Sequence, residues 1–185
     1  PEFSAERVPT LREVLETARN RARVLIELKY YGHDTALERR VVDIVEDAGM
    51  EAGVALMSLR YEGIRQIRAL RPAWRIGLLS ATALGDLTEL DTDFLAVNVG
   101  MATRSFIGRA RAAGKPVLVW TINDPVSMSR LMSLGVDGII TDDPAMGREV
   151  LATRAELSVI ERLLIHTAVL FGQPVPGFTA RDQSP

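Results

Sequence analysis

Val24-Leu25-Ile26-Glu27-Leu28-Lys29 is a short run of mostly aliphatic residues with two charges on alternate positions. Six such residues are too few for an ordinary helix and too apolar for a surface loop, so they read as a strand. Similar runs recur at residues 53–59, 76–79, 94–99, 116–121 and 136–141. Their first residues are separated by 29, 23, 18, 22 and 20 positions. Helical spacing fills the intervals. Leu11, Val14, Leu15 and Ala18 form one stripe, and Leu37, Val41, Val42 and Val45 a second. Ile64, Ile67 and Leu70 form a third; Phe106, Ile107 and Ala110 follow. Met128, Leu131, Met132 and Leu134 end at Gly135, a natural residue for leaving a helix. Strands alternating with helices make a parallel sheet, because each crossover needs a helix.

Two architectures use this pattern, an open doubly wound sheet and a (β/α)8 barrel. No G-x-G-x-x-G and no phosphate-binding G-x-x-x-x-G-K-[ST] follows any strand, so a nucleotide-binding sheet lacks its usual signature. The pattern opens on a helix at residues 10–20, led in by Pro9-Thr10. The expected fold is therefore α/β, a TIM barrel truncated at its N-terminus. Six parallel strands, the third to the eighth, are expected with their surrounding helices. A complete barrel takes about 250 residues, and this chain has 185. Its first residue is Pro1 rather than Met, so the start is expected to be a cut. Residues 1–155 are expected to form the partial barrel, 156–172 a helix packed on it, and 173–185 a polar tail. Thr153 and Glu156 read as the capping box of that last helix, with Leu157, Ile160, Leu164 and Phe171 on its stripe. The outermost strands should leave parallel edges unpaired, an aggregation hazard.

Composition excludes several classes. With 47% hydrophobic and 25% charged residues and no cysteine, the chain is neither disordered, a disulfide scaffold nor a cysteine zinc site. A formal net charge of -2 offers no electrostatic grip on nucleic acid. The most apolar late stretch, residues 163–171, is interrupted by His166. It is far short of the roughly 18 apolar residues a membrane span needs.

Strand alternation sends Val24, Ile26 and Leu28 toward the helices and Leu25, Glu27 and Lys29 to the other face. An acid and a base thus stand at the C-terminal end of their strand, where barrels and open sheets place ligands. Glu27 could hold a divalent cation or act as a base, with Lys29 facing an anion; equally, the two could form an internal ion pair. Lys29 is one of only two lysines among 22 basic residues. Trp120, at another strand end, could wall a pocket or simply fill core. Asn123-Asp124-Pro125 reads as a helix-start turn or a site, and Asp142 and Asp143 as caps. Gly138 leaves room for a ligand or for close packing. His33 follows Lys29 on the same loop and could touch a ligand, whereas His166 reads as structural. No H-E-x-x-H or G-x-S-x-G occurs.

Taken together, Ile26-Glu27-Leu28-Lys29, residues 119–124 (Val-Trp-Thr-Ile-Asn-Asp) and residues 135–144 (Gly-Val-Asp-Gly-Ile-Ile-Thr-Asp-Asp-Pro) resemble the glycerophosphodiester phosphodiesterase family. Val8-Pro9-Thr10-Leu11 matches that family's approach to the helix before its third strand, and the likeness runs in register to about Leu151. The resemblance implies metal-dependent hydrolysis of glycerophosphodiesters to glycerol 3-phosphate and an alcohol. It implies that Glu27 ligates Mg²⁺ or Ca²⁺, that Lys29 is a catalytic and substrate-binding residue beside the phosphate, and that Trp120 lines the glycerol side. A cation and an ammonium together suit a phosphodiester, whose non-bridging oxygens need neutralising.

The family's first-strand His-Arg-Gly, its Glu-x-Asp metal ligands and its second histidine belong upstream of the matching region. The chain as given is therefore expected to be inactive alone, since one carboxylate holds Mg²⁺ or Ca²⁺ weakly. Residues 29–34 and 157–171 look most like bacterial members with an N-terminal membrane domain, which would lie upstream. Two alternatives stand beside this reading: a Schiff-base, aldolase-like barrel using Lys29, and a non-catalytic barrel fragment. The headgroup, the oligomeric state and the location are left open.

Overall fold

The computed structural model describes residues 7–32, 36–82, 85–158 and 161. Strands β1 (Val24–Glu27), β2 (Val54–Ser58), β3 (Ile76–Ser80), β4 (Phe94–Asn98), β5 (Val117–Trp120) and β6 (Gly138–Ile139) form one sheet in the order β1-β2-β3-β4-β5-β6. A doubly wound sheet reverses its strand order at a switch point. This order never reverses. The helices are α1 (Leu11–Ala18), α2 (Leu37–Asp47), α3 (Tyr61–Leu70), α4 (Arg104–Ala112), α5 (Pro125–Leu134) and α6 (Pro144–Glu156). Six parallel strands in sequence order, five of them followed by an α-helix and β3 by the short 3-10 turn Leu87–Glu89, are the barrel-type architecture expected from the spacing. The chain divides into two compact units, with the boundary inside β4 between Leu95 and Ala96; Ala81–Glu89 belongs to the second.

In the first unit, β1 pairs with β2 in the register Val24↔Val54 to Glu27↔Met57, and β2 with β3 from Leu56↔Ile76 to Ser58↔Leu78. Ile26 and Leu28 are buried with Leu15, Val41, Val42, Val45, Leu56, Ile64, Ile67 and Ile76. The aliphatic face of β1 therefore meets the helices, as alternation requires. α1 begins with a complete capping box, in which Thr10 and Glu13 satisfy each other's backbone N–H groups. Gly77 carries no side chain because the Phe94 ring occupies its space; a Cβ there would stand 2.2 Å from Phe94 Cε2.

The second unit packs Ala96, Val97, Phe106, Ile107, Ala110, Val117, Val119, Met128, Leu131 and Val150 into its interior. Its helices start as their sequences dictate. Thr103, Asp124 and Asp143 accept from the backbone N–H groups of Phe106, Ser127 and Met146, and prolines occupy the first turns of α5 and α6. Gly135 ends α5 at φ 84°, with its N–H on Leu131 O and Met132 O.

Both units secure strand starts in the same way. The Asp93 carboxylate accepts the N–H of Ile76 at 2.8 Å, and the Asp137 carboxylate accepts that of Val117 at 2.8 Å. Arg68 adds a second bond to Asp93 at 3.1 Å.

Several boundaries differ from the expectation. β1 stops at Glu27, although Leu28 N–H still donates to Met57 O at 2.8 Å. β6 has two residues rather than six, because Val136 N–H turns back to Leu131 O and Thr141 enters a side-chain network. At Gly138 a Cβ would meet Leu118 Cδ2 at 2.6 Å, so close packing accounts for the glycine. Thr153 does not cap a new helix, since α6 continues through it to Glu156. The reciprocal pair falls five residues later: Ser158 N–H donates to Glu161 at 2.8 Å, and Glu161 N–H to Ser158 Oγ at 3.3 Å. The stripe positions Ile160, Leu164 and Phe171 lie outside the described residues. Among the described residues no helix is long and apolar enough to cross a membrane.

Candidate active site

Glu27 is the last residue of β1, and Lys29 lies just past it on the loop toward α2. Lys29 Nζ stands 3.5 Å from Glu27 Oε2; the side chains are 57% and 24% exposed. The two charges thus do pair, with the ammonium largely in solvent. At that exposure an ion pair adds little stability, so folding alone gives no strong reason for it.

The loop that carries Lys29 is held by polar groups sequence reasoning missed. The Tyr30 hydroxyl donates to Glu38 Oε1 at 2.6 Å. Glu38, on the first turn of α2, is only 4% exposed. Burial and the adjoining carboxylate push the Tyr30 phenol well above its usual range, so it stays a donor. Ser58 Oγ donates to Leu28 O at 2.9 Å and accepts the Arg60 N–H at 3.0 Å, lacing the ends of β1 and β2. The Arg60 guanidinium lies over the Tyr30 ring, 4.8 Å from its centroid. Gly63 makes room for all of this, because a Cβ would come within 1.8 Å of the Tyr30 oxygen. One signal was available: Glu38 falls on the same helical stripe as Val41, Val42 and Val45, where a carboxylate needs a partner.

In the second unit, Trp120 closes β5 half-buried, its indole N–H donating to Ala96 O at 3.1 Å. That bond fixes the ring at the C-terminal end of its strand. Asn123 ties the loop after β5 to the loop after β6. Its amide donates to Asp142 at 2.7 Å, and its Oδ1 accepts Thr141 Oγ1 at 3.0 Å and Asp142 N at 2.9 Å. Asp143 is a helix cap, but Asp142 is not; it is the partner of Asn123. His33 and His166 lie outside the described residues.

Among the described residues no three His, Asp or Glu side chains gather at one point. Glu27 offers a hard oxygen, the donor type Mg²⁺ and Ca²⁺ take, but those ions need about six oxygen ligands. The described residues do not by themselves make a complete metal site.

Residues 1–146 match the model of the glycerophosphoryl diester phosphodiesterase family. The chain belongs to that family. A glycerophosphodiester phosphodiesterase of Caldanaerobacter subterraneus subsp. tengcongensis is 28% identical over 152 residues, 77% of this chain and 61% of that protein. A solved glycerophosphodiester phosphodiesterase of Parabacteroides distasonis aligns with a TM-score of 0.73 at 26% identity, covering 82% of this chain and 67% of that one. An Oleispira antarctica phosphodiesterase, solved in complex with the product sn-glycerol-3-phosphate, shares the fold at a TM-score of 0.69 and 22% identity, covering 82% and 64%. The chain spans 61–63% of the length of the bacterial family members it matches.

Proposed function

We propose that this chain serves the hydrolysis of glycerophosphodiesters to glycerol 3-phosphate and an alcohol. The single observation that carries the assignment is the Glu27–Lys29 pair, 3.5 Å apart at the C-terminal end of β1, in a member of this family. The Oleispira relative's product complex supports the choice of product. In the reaction a water oxygen bonds to phosphorus, the bond from phosphorus to the alcohol oxygen breaks, and the alcohol takes up a proton.

Glu27 is assigned as one oxygen ligand of a divalent cation, Mg²⁺ or Ca²⁺. When bound, such an ion draws charge from the phosphate oxygens. Lys29 places its ammonium against a non-bridging oxygen; a compact point charge suits that role. Trp120, its ring held by the bond to Ala96 O, offers an apolar wall to the glycerol carbons.

A Schiff-base role for Lys29 fits the geometry less well. Such lysines are activated by desolvation or by a neighbouring cation, whereas Lys29 is more than half exposed beside a carboxylate. The test is to supply full-length protein with a glycerophosphodiester and Mg²⁺ or Ca²⁺ and to measure glycerol 3-phosphate, with borohydride trapping in parallel. Metal-dependent release without trapping is expected. Trapping at Lys29 without release would refute the assignment.

A further inference from the structure

We propose that Arg60 is a specificity residue, giving the site a preference for glycerophosphodiesters whose alcohol carries a further anionic group. The inference rests on the preceding assignment of Lys29 to the scissile phosphate.

β1 and β2 are parallel and paired as far as Glu27↔Met57. The residues that follow, Lys29-Tyr30 and Leu59-Arg60, therefore leave neighbouring strand ends side by side. Ser58 laces the two exits together through Leu28 O and Arg60 N. Arg60 is exposed, yet its guanidinium lies 4.8 Å above the centre of the Tyr30 ring. That ring is itself fixed by the bond to buried Glu38. An aromatic platform of this kind reduces the ordering cost of binding through the cation.

Both carboxylates at these exits already have partners. Glu27 faces Lys29, and Glu38 is turned inward to Tyr30. Among the described residues, no carboxylate lies within ion-pair distance of the Arg60 guanidinium. Among those residues the Arg60 guanidinium, on the strand exit next to that of Lys29, is thus left to the Tyr30 ring. The ring covers one face of the guanidinium, while its N–H donors lie in its plane and point elsewhere. That planar fork matches a second phosphate or a carboxylate, where a lysine would supply only a point charge.

The experiment compares glycerophosphoinositol with glycerophosphoinositol 4-phosphate as substrates of the full-length protein, wild type, R60Q and R60K. Wild type should favour the phosphorylated compound in kcat/KM. R60Q should lose roughly tenfold of that preference, through KM, as expected for one charge-assisted pair in a partly solvated site. R60K should recover part of it. In wild type, added salt should raise KM more for the phosphorylated compound, a readout independent of any variant. Hydrolysis of both compounds with an unchanged ratio in R60Q, or equal salt dependence in wild type, would overturn the role of Arg60 alone. Hydrolysis of neither by wild type would overturn the assignment on which it rests.

Discussion

The Tyr30 hydroxyl donates to Oε1 of Glu38 at 2.6 Å, one residue past Lys29. A carboxylate that is 4% exposed is thereby given a donor, and the loop bearing Lys29 is anchored to α2. Tyr30→Phe removes the donor and keeps the ring. Leaving the carboxylate unsatisfied should cost roughly 1–3 kcal/mol in urea unfolding.

The same bond predicts an alkaline limb in the stability profile. The folded Tyr30 phenol titrates above its unfolded value of about 10. Its contribution is fully present below that value and is lost as pH rises toward the higher folded one. Between pH 9 and 11 wild type should therefore lose stability more steeply than Tyr30→Phe. Parallel profiles would remove the bond from the account.

Gly77 stands where the Phe94 ring would meet a Cβ at 2.2 Å, and Phe94 is fully buried. Gly77→Ala should overpack the first unit by about 1–3 kcal/mol. A thermal midpoint equal to wild type would mean that the ring moves aside freely.

Strand spacing was legible because each strand must turn aliphatic residues toward its helices, a need that Ile26 and Leu28, and Val117 and Val119, carry openly. The two lone carboxylates at strand starts were not legible. Asp93 and Asp137 act through space on Ile76 and Val117, a partnership set by sheet register rather than by local pattern. The pairing of Glu27 with Lys29 at the β1 end was readable from their alternation. The Tyr30–Glu38 support was not, since it joins a loop to the buried side of a helix. At the C-terminal side, the sequence reads Thr153-x-x-Glu156 as the capping box, but α6 continues through it and the reciprocal bonds join Ser158 and Glu161.

Asp137 should therefore matter to stability. Asp137→Ala leaves the buried Val117 N–H without its acceptor, and a loss of roughly 1–3 kcal/mol is expected. An unchanged urea midpoint would show that the strand start is held by other means.

Glu13 makes a sharper pH prediction. Its bonds to Arg7 first, then to the Thr10 backbone and hydroxyl, lower its carboxyl to about 2. A depressed folded value stabilises above the unfolded value near 4.3 and is lost as pH falls through the folded one. A ¹³C titration of the Glu13 carboxyl should thus give a midpoint near 2. A midpoint above 4 would contradict the capping box.

The central assignment is tested most directly by glycerol 3-phosphate release from full-length protein carrying Glu27→Gln. The account predicts that metal-dependent hydrolysis falls to background while the fold, followed by circular dichroism, is kept, because the amide leaves no anionic oxygen for the cation. Hydrolysis by Glu27→Gln at the wild-type rate, with the same metal dependence, would contradict it.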